Sequence, residues 1–299
     1  MKRLAITLTT VVAVLVLSGT GQSAQAQEVN VQGPLAGAPA VINMRIYRQM
    51  RLQLQAHFSM TLQDQFSRAM MAGGQIMFHP ADWLGLGVWA SFAVANTDTA
   101  LTDQIVSKGQ TNGVNVLSLP NPARFSSQIG RINYIIAPEV AFIPLRGKLG
   151  IFEKLFVDAD LYAFGGVGFV GVDERANVDS TKFQSCKPNA MSNNGGLASE
   201  VACLSNSQGA RATRTAIAPT FGIGLSLYMA EFLAMTIEWR ALPFAWNTSG
   251  TDEAGDARGA YPDSQINEQD RLSHFNHMIS IGFAFYLPTA PKLSTAGNE

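Results

Sequence analysis

His274-Phe-Asn-His-Met-Ile-Ser-Ile-Gly-Phe-Ala-Phe-Tyr-Leu-Pro288 decides the fold. Taken two residues at a time, Phe275, His277, Ile279, Ile281, Phe283, Phe285 and Leu287 share one face. His274, Asn276, Met278, Ser280, Gly282, Ala284 and Tyr286 share the other. A period of two is the signature of a strand. A bulky apolar face backed by a small or polar one suits a barrel wall between lipid and a narrow interior. Phe283, Phe285 and Tyr286 crowd one end, as interfacial girdle residues do.

The same alternation recurs upstream. Met50–Leu62 sets Leu52, Leu54, Phe58 and Met60 against Arg51, Gln53, Gln55, His57 and Ser59. A helical stripe there would mix Arg51 and Gln55 with Phe58 and Leu62, so the two-residue period wins. Further strands are expected at Ser67–Phe78, Trp83–Asn96, Ile132–Leu145, Leu155–Val172, Thr213–Met229 and Phe232–Trp246. Pro138 and Pro144 are awkward within the fourth, because proline donates nothing to a ladder. The links at 63–65, 79–82, 146–154 and 230–231 read as short turns, the third of them basic. Residues 97–131, 173–212 and 247–273 read as long loops, the first polar and the last acidic. Eight strands with short turns at one end and long loops at the other, the short first link on the outer side excepted, make an all-β, eight-stranded antiparallel transmembrane β-barrel, expected over residues 44–288.

The N-terminus fits this location. Lys2 and Arg3, the apolar run Leu4–Leu17 and Ala24-Gln-Ala26 read as a cleaved signal peptide over residues 1–26. At about 14 residues that run is short for a spanning helix, which needs roughly 20. Residues 27–43 read as a periplasmic lead-in and 289–299 as a periplasmic tail. Only 14% of residues are charged while 47% are hydrophobic, with 27 glycines. That composition is odd for a secreted soluble domain and natural for a barrel whose alternate residues face lipid. A formal net charge of -1 offers no argument for nucleic acid as a partner. Cys186 and Cys203 are the two cysteines. In an oxidising compartment they are expected to pair, closing a loop worth about 3 kcal/mol in the chain-entropy model.

Four stretches carry a family resemblance: Arg45-Ile-Tyr-Arg-Gln-Met-Arg-Leu-Gln-Leu54, Phe78-His-Pro-Ala-Asp-Trp-Leu-Gly-Leu-Gly87, Gly147-Lys-Leu-Gly-Ile-Phe-Glu-Lys-Leu-Phe-Val-Asp-Ala-Asp-Leu-Tyr-Ala-Phe-Gly-Gly-Val-Gly168, and the terminal Phe-Tyr-Leu-Pro288. Together they resemble the outer-membrane β-barrel domain family of myxobacteria and related deltaproteobacteria. The resemblance implies residence in the outer membrane. Because some members serve gliding-motility envelope complexes, it also implies protein partners there.

No cofactor or metal is expected, and no catalytic residues. The inward charges Arg51, Glu139, Asp158, Asp160, Glu238 and Arg240 are expected to form an ion-paired filling of the lumen, since a barrel this narrow is filled by side chains. His57, His79, His274 and His277 are the four histidines. His274 and His277 fall near the acidic loop, where a hydrolytic or divalent-ion site is conceivable, but no nucleophile motif accompanies them. A soluble ligand-binding barrel would invert the two faces. The function expected is a non-enzymatic anchor or interaction component of a cell-envelope complex, in gliding motility or adhesion. A narrow pore is the alternative.

Overall fold

In a computed structural model of the chain, described over residues 48–62, 64–109, 122, 125–151, 155–175, 178–179, 211–255 and 265–290, eight long strands close into a ring. They are β1 (Arg51–Leu62), β2 (Ser67–Ala81), β3 (Leu84–Asp98), β4 (Arg131–Ile151), β5 (Leu155–Arg175), β7 (Arg211–Ala230), β8 (Leu233–Trp246) and β10 (Leu272–Leu287). Two short strands, β6 (Val178–Asp179) and β9 (Gln265–Ile266), pair with each other and tie two outer loops together. Each long strand pairs antiparallel with its sequence neighbour, and β10 closes on β1 from Leu52↔Leu287 to Leu62↔His277. Closure leaves no open sheet edge. The segments expected at 1–26 and 27–43, the tail beyond residue 290, and Cys186 with Cys203 lie outside the described residues.

The expected parity holds along the wall. Leu54, Phe58, Ile76, Phe92, Val140, Phe142, Ile217, Ile281 and Phe283 are exposed, while Gln53, Gln55, His57 and Ser59 are buried. A soluble barrel with an apolar cavity is thereby overturned, because the oily face points away from the lumen. At the periplasmic end, where the short turns and the described chain ends meet, Trp83 packs edge-on against Phe142, and Phe232 lies tilted against Phe285. These rings form part of an interfacial girdle.

Three features differ from the expectation. The basic stretch 146–154 is not all turn. β4 and β5 stay paired through Lys148↔Asp158 to Ile151↔Leu155. Residues 97–131 are not all loop. Helix α1 (Ala100–Lys108) and the single turn α2 (Phe125–Gln128) lie at the outer mouth. Thr99 caps α1, and its hydroxyl donates to the Gln65 carbonyl at 2.6 Å. The Thr102 hydroxyl donates to the Phe66 carbonyl at 2.6 Å, which fastens the helix to the β1–β2 turn. Third, the outer half of the lumen is apolar. Ile132, Ile135, Val170, Val172, Leu242, Phe244 and Trp246 pack there around Met71 and Met278.

The prolines now have an account. Pro144 lies in the register shift between Phe142 and Leu145, and Pro138 points outward where the β4–β5 ladder skips from Ile136↔Phe169 to Glu139↔Gly166. A missing donor costs little where no ladder bond is made. A second shift, between Ile132 and Tyr134, lets both Ile132 and Ile135 point inward. Glycine is required where an aromatic ring lies flat against the facing strand. A Cβ on Gly224 would run into the Tyr162 ring, and one on Gly222 would meet Phe164 at 2.5 Å. These pairings free Tyr162 and Phe164 to reach into the lumen.

Candidate functional site

Two clusters of polar side chains occupy the lumen. The central one is built on Arg240, inward on β8 and fully buried. Its Nη1 donates to Glu139 Oε2 at 2.7 Å and to Thr220 Oγ1 at 3.2 Å, while Nη2 lies 3.7 Å from Glu238 Oε2. The guanidinium is held between the rings of Trp89 and Phe164, each 4.2 Å from its centre. Such contacts strengthen when water is absent. Tyr162 OH and Gln55 Nε2 both donate to Glu238 Oε1, at 2.7 and 3.4 Å. Gln75 donates to Glu139 at 2.5 Å. Gln53 bridges Gln55 and Gln75, and a His79 ring nitrogen meets Gln53 Oε1 at 2.9 Å. His57 stacks on Trp89 with ring centres 4.6 Å apart.

The second cluster closes the periplasmic mouth. Arg48 precedes β1, yet it is only 1% exposed. Its Nε donates to Asp160 Oδ2 and to Tyr228 OH, both at 2.9 Å, and its Nη2 to Ser226 Oγ at 2.9 Å. The chain turns to put it there. Met50 adopts a left-handed φ of 56°, unusual without glycine, and its N–H donates to the His79 carbonyl at 2.7 Å. The Gln49 N–H donates to Asp82 Oδ1 at 2.8 Å. Arg51 clamps the other chain end, donating to the carbonyls of Pro288 at 2.8 Å, Thr289 at 3.1 Å and Glu231 at 3.1 Å.

Of the six charges expected to meet, Glu139, Glu238 and Arg240 form one group, and Asp160 belongs to the mouth. Arg51 is bound chiefly to backbone carbonyls. Asp158 is half-buried, opposite Lys148 in the ladder. Arg48 was not among the expected residues. No strand period covers it, so no sequence pattern marks it as inward.

Among the described residues, the outer rim is braced by bonded side chains. Glu174 accepts from Arg214 Nε at 2.5 Å, Arg271 Nε at 2.6 Å and the Asn247 N–H at 3.1 Å. Asp270, 1% exposed, accepts from the N–H groups of Glu253, Ala254 and Asn267. His277 faces outward, and its Nδ1 accepts from Trp239 Nε1 at 3.2 Å. Neither Ser67 Oγ nor His274 Nε2, both buried near this rim, has a hydrogen-bond partner, so the two do not form a nucleophile–base pair. Among the described residues no group of three or more His, Cys, Asp or Glu is placed to hold a metal ion.

Asp64, in the β1–β2 turn, accepts from the Thr61 hydroxyl. Burial pushes its carboxyl up to about 6, against the pull of that bond and of Arg68. The fold therefore keeps a proton that the unfolded chain releases near pH 4, and stability falls as pH rises from about 4 through about 6. Asp64→Asn is expected to flatten this slope and to leave the barrel more stable than wild type at pH 7. Urea unfolding in vesicles at pH 4 and 7 measures both.

No family model and no curated protein matches the chain. Among solved structures it is similar to the N-terminal β-barrel domain of OprF from Pseudomonas aeruginosa, at 9% identity and a TM-score of 0.39, over 80% of this chain and 98% of that one. It is also similar to a major outer membrane protein from Thermus thermophilus, at 9% identity and 0.36, over 79% and 99%. The Neisserial surface protein NspA matches at 8% identity and 0.33, over 79% and 95%. A closed ring with an apolar exterior and a charged interior is one of the two structures able to span a bilayer, and it is the one found in outer membranes.

Proposed function

We propose that this chain is a non-enzymatic outer-membrane anchor: a plugged barrel that holds other proteins of a cell-envelope complex in the outer membrane. The filled lumen carries the reading. Trp89 and Arg240 are fully buried at its centre, Arg48 fills the inner mouth, and apolar side chains pack the outer half beneath a rim braced by Glu174 and Asp270. Such an interior leaves the loops and the periplasmic face as the working surfaces. The stretches that resemble the myxobacterial family supply Arg48 and Asp160, which pair at the periplasmic mouth, and His79 and Asp82, whose carbonyl and carboxylate hold the turn that places Arg48. That supports envelope partners on the periplasmic side, with gliding motility as the process to examine first and adhesion second.

Affinity capture of the tagged protein from gently solubilised envelopes tests the proposal. Periplasmic or inner-membrane proteins recovered at fixed ratios are the expected result. A barrel recovered alone, together with discrete conductance steps from the wild-type protein in planar bilayers, would replace the anchor with the narrow pore.

A further inference from the structure

A cleft of about 90 Å³ opens at the outer rim between the β1–β2 turn, the end of β8 and the start of β10. Asp64, Phe66, Ser67, Trp246, His274 and Phe275 line it. Two of its polar atoms are buried without a partner: the hydroxyl of Ser67, a residue only 9% exposed, and Nε2 of His274. Buried polar groups are nearly always paired, so two orphans in one cleft ask for a ligand or for water. Asp64 uses Oδ2 on Thr61, which leaves Oδ1 as an acceptor. Phe275 and Gln65 are exposed at the margin, so the cleft can be reached from outside.

We propose that this cleft binds the hydroxyl edge of a sugar ring. A hydroxyl, an imidazole nitrogen and a carboxylate provide both donors and acceptors, as vicinal hydroxyls require. Phe66 and Phe275 offer apolar surface to the C–H groups between those hydroxyls, the usual mixture of an apolar wall with a few placed polar groups. The volume holds roughly six to nine water-sized groups, which admits the edge of one ring but not a whole oligosaccharide. An acyl chain or an aliphatic ligand would leave Ser67 and His274 unpaired. At the outer rim the sugar has two sources, a glycolipid of the outer leaflet or a free saccharide.

The test uses the full mature chain, refolded in detergent micelles. The probes are core oligosaccharide released from lipopolysaccharide by mild acid and intact lipopolysaccharide. Saturation-transfer NMR and titration are expected to show binding of the oligosaccharide with Kd about 1 mM. Ser67→Ala and His274→Ala are each expected to weaken it about tenfold, the loss of one hydrogen bond. Binding of intact lipopolysaccharide alone, lost in the same variants, assigns the sugar to the glycolipid. Binding of neither probe, or binding that both variants retain, overturns the proposal and leaves water as the occupant. Ser67→Ala removes one oxygen from the rim, so it separates loss of binding from failure to fold. This outcome is independent of the captured partners that decide the anchor reading.

Discussion

Arg240→Ala is expected to cost about 3 to 5 kcal/mol of stability, the loss that follows when one member of a buried ion-pair group is deleted. Glu139 and Glu238 would be left in the centre of the lumen without their cation, and the facing surfaces of Trp89 and Phe164 would lose the guanidinium between them. Equilibrium urea unfolding of the refolded barrel in lipid vesicles measures the loss. The control is the triple variant Glu139→Gln, Glu238→Gln, Arg240→Met, which removes the charges together and keeps most of the volume. It should recover most of the stability, because desolvating three ions is itself costly. If Arg240→Ala proves as stable as wild type, water already reaches the group and the lumen is not sealed.

Arg48→Ala is expected to act at the periplasmic mouth with a similar magnitude, again about 3 to 5 kcal/mol. Asp160 loses its cation there, and the Arg48 contacts to Ser226 and Tyr228 go with it. The damage should be local first. Hydrogen exchange should accelerate at the β7–β8 turn and at the start of β1 before the rest of the wall responds. Arg48→Lys should recover only part of the loss, since an ammonium cannot reproduce the fork that spans Asp160, Tyr228 and Ser226. A double variant, Arg48→Met with Asp160→Asn, should lie close to wild type. Equal exchange in wild type and Arg48→Ala would show that the side chain fills the mouth without holding it.

Both variants act on residues that differ in how visible they are from sequence. Arg240 is in phase with Thr236 and Glu238 along a clear strand, so its inward direction follows from parity. Its pairing with Glu139, on a strand that is not its neighbour in the ring, does not. Arg48 lies outside every periodic segment, and its burial depends on the left-handed turn at Met50 and on the anchors His79 and Asp82.

Local chemistry along the chain was sufficient for the number of strands, their order and their two faces. A period of two in a closed wall admits one division into lipid side and lumen side, and short turns force neighbouring strands to run antiparallel. The direction of each side chain is a property of its own strand. Which inward side chains meet is instead a property of the ring, because closure and shear bring together residues about a hundred positions apart, as with Glu139 and Arg240 or Arg48 and Asp160. The apolar outer half of the lumen, the helices in the loop after β3 and the hydrogen bonds gathered on Asp270 belong to that second class. Parity says only that Leu242 or Phe244 faces inward. Whether that interior is wet or dry is decided by what packs against them, and here it is Ile132 and Val170 from across the ring and Met278 from the neighbouring strand.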